Sequence, residues 1–295
     1  GHMGGHDPYG GGMMGGGDFF GGGGMGGPMD GMPGPMMGGG PVDFFSGGFF
    51  GASNDYNDPY APVYDYYDAA PDVVVTSGAA VAYSSAASST MVLSDGGNTI
   101  SINTSQLITN GTLMGGNGAD IINMSGAGAI GTINLQGGAD SIQLAGSNTV
   151  TVYNTEQIAG GTGIDNITFT GSGSTAIGGS QGADTYNLSS TSGAVYTIKY
   201  SALNQIGDDI NGFLSGTDKF VFNKTVFNGD ANNNGALDAF QSGAGSTSST
   251  NASVYWVRDT TTNNLYYDAD ANGSNTGTLA ADLDEAVAMT DITFV

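Results

Sequence analysis

Five polar side chains stand two residues ahead of an apolar one, at the ends of Gly-rich stretches: Asn98, Asp120, Asp140, Asp165 and Asp184. Two of these stretches complete the nonapeptide pattern Gly-Gly-x-Gly-x-Asp-x-apolar-x. The first runs from Gly115 through Asn117, Gly118 and Asp120 to Asn123, and the second from Gly160 through Thr162, Gly163 and Asp165 to Thr168. Residues 135–143 keep Gly137 and Asp140, residues 179–187 keep Gly182 and Asp184, and residues 93–101 place Asn98 where the others carry Asp. The residue types specify a chemistry. Gly permits positive φ and lets backbone carbonyls converge, Asp supplies a hard anionic oxygen, and Ca²⁺ accepts six to eight such oxygens in a flexible geometry. Metal-free Gly-Ala-Asp turns of a β-solenoid are the alternative.

A repeated nonapeptide of this kind resembles the RTX repeat family. The resemblance covers residues 93–190 and implies six-residue calcium turns joined by three-residue strands, two units making one coil of a right-handed parallel β-roll. Ile122, Ile142, Ile167 and Tyr186 then point into a narrow interior. Asp120, Asp140, Asp165 and Asp184 follow one another at intervals near the length of a two-unit coil, which predicts that they line one edge of the roll. Residues 126–134 carry Gly131 in place of the acid, and residues 170–177 are rich in Ser and Thr. The opposite edge is therefore expected to be largely free of metal, unlike the two-edged family pattern.

Two further loops offer oxygens at calcium-like spacing. Asp230, Asn232, Asn234 and Asp238 occupy positions one, three, five and nine of an EF-hand loop, with Gly235 at six. Gln241 stands at position twelve, where a bidentate Glu belongs, and no helices flank the loop in the sequence. Asp268, Asp270 and Asn272, followed by Gly273, repeat the same start. Solvated Asx turns explain both loops without a metal. Residues 209–220, 266–270 and 291–295 also resemble the C-terminal module of type I secreted RTX proteins. That resemblance implies an uncleaved export signal read by type I export machinery, and a secreted or cell-surface location.

The elements around these turns follow from patterning. From Val73 onward, short β-branched runs such as Thr99–Ile102 and Thr149–Val152 alternate with Gly, Asn, Ser and Thr, which predicts short strands and tight turns. Three regions are expected: a low-complexity arm over 1–72, a calcium β-roll over 73–199, and a β-rich cap over 200–295 containing Trp256. In the arm, Gly1-His2-Met3 reads as a vector remnant. The rest is Gly, Met, Phe, Tyr, Pro and Asp without an apolar stripe, which predicts a chain that is disordered or ordered by assembly.

Charge limits the partners. The chain has 295 residues, 27 acidic against four basic side chains (Lys199, Lys219, Lys224 and Arg258), a net charge of −23 and no Cys. Nucleic acid and anionic membranes require Lys and Arg, no apolar run is long enough to insert in a membrane, and divalent cations are the natural counter-charge. No N-terminal secretory signal is evident in the sequence. Ser-His-Asp and Cys-His catalysis need a His in the folded region, whereas His6 lies in the arm; Glu156 and Glu285 are the two Glu, so a carboxylate-pair enzyme is not expected either. The sequence therefore points to a calcium-binding extracellular structural protein, of a biofilm matrix, surface layer or filament, that associates with other copies of itself or with a cell-surface component. The alternatives are a monomeric adhesin using the roll as a spacer, and a metal scavenger using Met29, Met32, Met36 and Met37.

Overall fold

The computed structural model describes residues 73–74, 80–83, 90–102, 111–178, 180–191 and 193–295. The arm expected over 1–72 lies outside the described residues. In chain order the strands begin β1 (Val73–Val74), β2 (Ala80–Tyr83), β3 (Thr90–Val92), β4 (Thr99–Ile102), β5 (Thr112–Met114), β6 (Ile121–Met124), β7 (Gly128–Asn134) and β8 (Ser141–Gln143). They continue with β9 (Asn148–Tyr153), β10 (Gln157–Ala159), β11 (Asn166–Thr170), β12 (Ser174–Gly178), β13 (Thr185–Asn187), β14 (Val195–Tyr200), β15 (Asp208–Asn211) and β16 (Lys219–Phe222). The last are β17 (Gln241–Gly243), β18 (Trp256–Asp259), β19 (Leu265–Tyr267), β20 (Thr278–Leu283) and β21 (Ile292–Phe294).

Odd strands from β1 to β15 stack in parallel into one sheet, and even strands from β2 to β16 into a second. Successive strands thus alternate between two sheets, and each pair makes one coil of a parallel β-solenoid. The two sheets share an apolar interior fixed by register. In the even sheet, Ile100, Ile122, Ile142, Ile158, Ile177, Ile198, Phe220 and Ile292 are direct neighbours from strand to strand, and all are buried. The odd sheet answers with Val150, Ile167, Tyr186, Ile210 and Leu283. One apolar residue two places after each turn is enough to build this column, because side chains alternate between the faces of a strand.

The coils continue past Lys199: β15 and β16 extend both sheets, and β20 and β21 close them. Here the interior fills with rings. Phe213 stacks on Phe220 at 4.9 Å between centroids, and Phe222 lies 4.2 Å from Trp256, which also contacts Tyr267. The Trp256 indole N–H donates to the Asn228 carbonyl at 2.8 Å, so the ring is buried with its polar atom satisfied. Antiparallel pairing of β18 with β19 and of β19 with β20 ends the parallel pattern. Among the described residues, no helix is long and apolar enough to cross a membrane.

Glycine in the turns is dictated by how closely the coils approach. A Cβ on Gly118 would lie 2.4 Å from the Gly97 nitrogen, and one on Gly116 would lie 2.3 Å from the Ser94 carbonyl oxygen. Gly173, by contrast, has nothing within 4 Å. Gly118→Ala is expected to lower stability by about 2 kcal/mol or more, and Gly173→Ala to change it by less than about 0.5 kcal/mol. Urea unfolding followed by circular dichroism distinguishes the two; equal losses would show that coil contact is not what selects glycine.

Candidate metal sites

The acidic side chains ahead of the strands form two columns. At the edge where the chain passes from the odd to the even sheet, Asn98, Asp120, Asp140 and Glu156 each immediately precede β4, β6, β8 and β10. The main-chain N–H of each of the first three donates to the side chain one coil on: Asn98 to Asp120 Oδ1 at 2.9 Å, Asp120 to Asp140 Oδ1 at 2.7 Å, and Asp140 to Glu156 Oε2 at 2.8 Å. The opposite edge repeats the device. Asn148 donates to Asp165 Oδ1 at 2.8 Å, Asp165 to Asp184 Oδ1 at 2.8 Å, and Asp184 to Asp208 Oδ1 at 2.9 Å. Back at the first edge, a further rung joins Tyr196 N–H to Asp218 Oδ1 at 2.8 Å. Both columns begin with an Asn, whose side-chain amide also donates to the first carboxylate.

This corrects the expectation that Asp120, Asp140, Asp165 and Asp184 line one edge. Asn98, Gly115, Asn117, Gly118, Asp120, Gly137 and Asp140 lie at one edge, while Gly160, Thr162, Gly163, Asp165, Gly182 and Asp184 lie at the other. Asp140 and Asp165 are one and a half coils apart. The 16-residue coil from Asp140 to Glu156, with only a short turn after β9, shifts the next Gly-rich turn to the opposite edge. Asn148, Glu156, Asp208 and Asp218 lie outside the five stretches in which the nonapeptide repeat is recognisable. Their signal was nonetheless present, since each stands two residues before a buried apolar side chain: Val150, Ile158, Ile210 and Phe220.

Asp120, Asp140, Asp165, Asp184, Asp208 and Asp218 are all buried. Coils about 5 Å apart put the stacked charges at a separation where, at an effective dielectric of about 20, two full charges repel by about 3 kcal/mol. The Lys219 charge offsets part of this at Asp218, and among the described residues no ion pair reaches the other five. Among the described residues the single ion pair is Lys219 with Asp291, at 2.9 Å, in the closing coil. Burial pushes the Asp140 carboxyl up to about 6, with the charges of Glu156 and Asp120 adding to the rise against the Asp120 N–H bond. Burial likewise lifts Asp208 to about 7, opposed by its bonds from Asp184 and Tyr200. Asp165 and Asp218 are raised for the same first reason.

The second carboxylate oxygens mostly have donors as well. Gly116 N–H donates to Asp120 Oδ2, Gly161 N–H to Asp165 Oδ2 and Leu214 N–H to Asp218 Oδ2. Asp184 Oδ2 accepts from the Ser180 and Tyr186 hydroxyls, and Asp208 Oδ2 from Tyr200 at 2.7 Å. Asp140 Oδ2 is buried with no donor. The donor set of the turns, Asp carboxylates among backbone carbonyls, fits a hard cation. Among the described residues no three His, Cys, Asp or Glu side chains converge. A cation here would take one or two carboxylates and fill its shell with carbonyls and water.

The two Asx-rich loops are built as turns. Asp230 accepts from Asn234 N–H and Gly235 N–H at 2.8 and 2.9 Å, and Asp238 accepts from Ala231 and Asn232 across the same loop. Gln241, at the twelfth position, sits in β17 and accepts from Thr250 N–H instead of facing the loop. Asp268 is buried and accepts from Ser249 N–H at 2.7 Å, while Asp270 and Asn272 accept from Asn272 N–H and Ser274 N–H. Comparison with family models, with curated proteins and with solved structures gives no match. The chain is therefore defined by its architecture, a parallel β-solenoid with stacked, buried Asp columns.

The raised carboxyls fix the sign of a pH dependence. A carboxyl that titrates higher when folded contributes stability that is fully present below its unfolded value near 3.8. For Asp140 and Asp208 that contribution is lost as pH rises through about 6 and about 7. Without divalent cations, stability is therefore expected to fall between about pH 4 and about pH 7, from the unfolded value to the two folded ones. Asp208→Asn should flatten the upper part of the profile. Urea midpoints in chelator across this range provide the check.

Proposed function

We propose that this chain is a secreted calcium-binding structural protein of the RTX type, whose solenoid becomes stable in calcium outside the cell and there associates with further copies or with a cell-surface component. The observation that carries the proposal is the pair of columns of buried Asp carboxylates, which no ion pair reaches among the described residues. Calcium is the ion best suited to such oxygen-rich turns, and its binding to the folded state alone adds directly to folding stability. Asp120 and Asp165, each in a complete Gly-Gly-x-Gly-x-Asp turn, are its principal anchors.

The net charge of −23 supports the same reading, since the chain repels itself until cations screen it. In a low-calcium cytosol the repeats would stay open for type I export, and folding would follow in the calcium-rich exterior. No catalytic step belongs to this proposal.

Calcium titration of the full chain, followed by circular dichroism and light scattering, tests it. The expected result is a gain of β-structure at neutral pH accompanied by large particles. Calcium-dependent folding to a monomer would favour an adhesin instead, and folding indifferent to chelator at neutral pH would overturn the calcium reading. Asp120→Asn together with Asp165→Asn should raise the calcium midpoint at least tenfold, corresponding to about 1.4 kcal/mol or more of lost linkage.

A further inference from the structure

We infer that Asp140 and Glu156 form a divalent-cation site of their own, at the place where the first carboxylate column meets a short turn. It rests on the calcium reading above and adds to it a ligand, Glu156, that lies outside every Gly-rich repeat.

The inference starts from an unpartnered oxygen. In the turns ending at Asp120, Asp165 and Asp218, the residue four places earlier turns its main-chain N–H onto the second carboxylate oxygen; before Asp184, the Ser180 hydroxyl does so. Four places before Asp140 stands Gln136. Its φ is +64°, and its N–H donates to the Asn134 side chain at 3.2 Å. The turn thus diverts the donor that its counterparts supply. Asp140 is 1% exposed, and its Oδ2 has no hydrogen-bond partner. A buried carboxylate oxygen left without a donor is destabilising unless a proton or a cation occupies the place.

A second carboxylate sits one coil on. Glu156 Oε2 accepts the Asp140 N–H at 2.8 Å, which holds the Glu156 carboxylate against Asp140 from the neighbouring coil. Glu156 ends the short turn after β9, where a six-residue Gly turn would otherwise bring its own Asp. The longer Glu side chain reaches the column from that shorter turn, and Glu156 is partly exposed, so the pair is open to solvent on one side. Two carboxylates with nearby turn carbonyls and water match the hard-oxygen shell of calcium and neutralise its two charges.

Glu156→Gln tests the site while keeping an oxygen that can accept the Asp140 N–H. Bound ions are counted by equilibrium dialysis of full-length chains against calcium, with circular dichroism confirming the fold. The expected result is one bound ion fewer per chain than wild type, the remaining ions retaining their affinities. Asp140→Asn provides the second variant should the first not fold, with the same loss expected. If the wild-type chain takes up calcium and the Glu156→Gln variant binds as many ions as it does, with unchanged affinity, the site is overturned and the calcium reading stands, whatever Asp140→Asn shows. If the wild-type chain takes up none, both fall together.

Discussion

A main-chain N–H of one coil donating to a carboxylate of the next is the interaction on which the rest of the structure depends. It recurs at both edges of the solenoid, from Asn98 to Glu156 and from Asn148 to Asp208, and again at Asp218. Each bond satisfies a backbone donor where a strand begins and fixes where that strand starts relative to its neighbour. The apolar columns follow from it, because a residue two places beyond a fixed point must face inward. The same bond brings a negative charge into a poorly solvated column. Packing alone does not resolve that conflict, and it leaves the acidic columns dependent on protons or cations.

The division between the coils and the closing end has a related cause. A thin solenoid buries little apolar surface per coil, and each coil leans on its neighbours. Toward the C-terminal side the interior gains Phe213, Phe220, Phe222, Phe227, Trp256 and Tyr267, and the ion pair of Lys219 with Asp291 appears. Burial opposes ionisation of Asp291, yet the Ser215 hydroxyl and the Lys219 ammonium hold its carboxyl below the ordinary range. This end is held by aromatic packing and a compensated charge, whereas the columns earlier in the chain carry uncompensated charge.

Much of this was legible in the residues. The alternation of short β-branched runs with Gly and Asx turns announced short strands, the family resemblance of the repeat implied their parallel coiling, and Ile122, Ile142, Ile167 and Tyr186 are buried where the repeat placed them. The assignment of edges was not legible, because it depends on the length of every intervening turn. The short turn before Glu156 makes its coil 16 residues, and that one difference moved Asp165 across the solenoid. Glu156 itself escaped notice for the same reason: the repeat was recognised by its glycines, while the fold selects any oxygen acceptor two places before an inward residue. The Asx loops were legible as turns, since Asp230 and Asp268 hold backbone N–H groups.

Coil length varies more than the regularity of the columns suggests. Successive rungs are 22, 20 and 16 residues apart at one edge and 17, 19 and 24 at the other. Each carboxylate works as a reset point: whatever the chain does between rungs, the count starts again at the next one. Insertions and deletions in the turns are thereby confined to the coil in which they occur. Such a scaffold can exchange its outer loops so long as each rung keeps an oxygen acceptor, as Glu156 does in place of Asp.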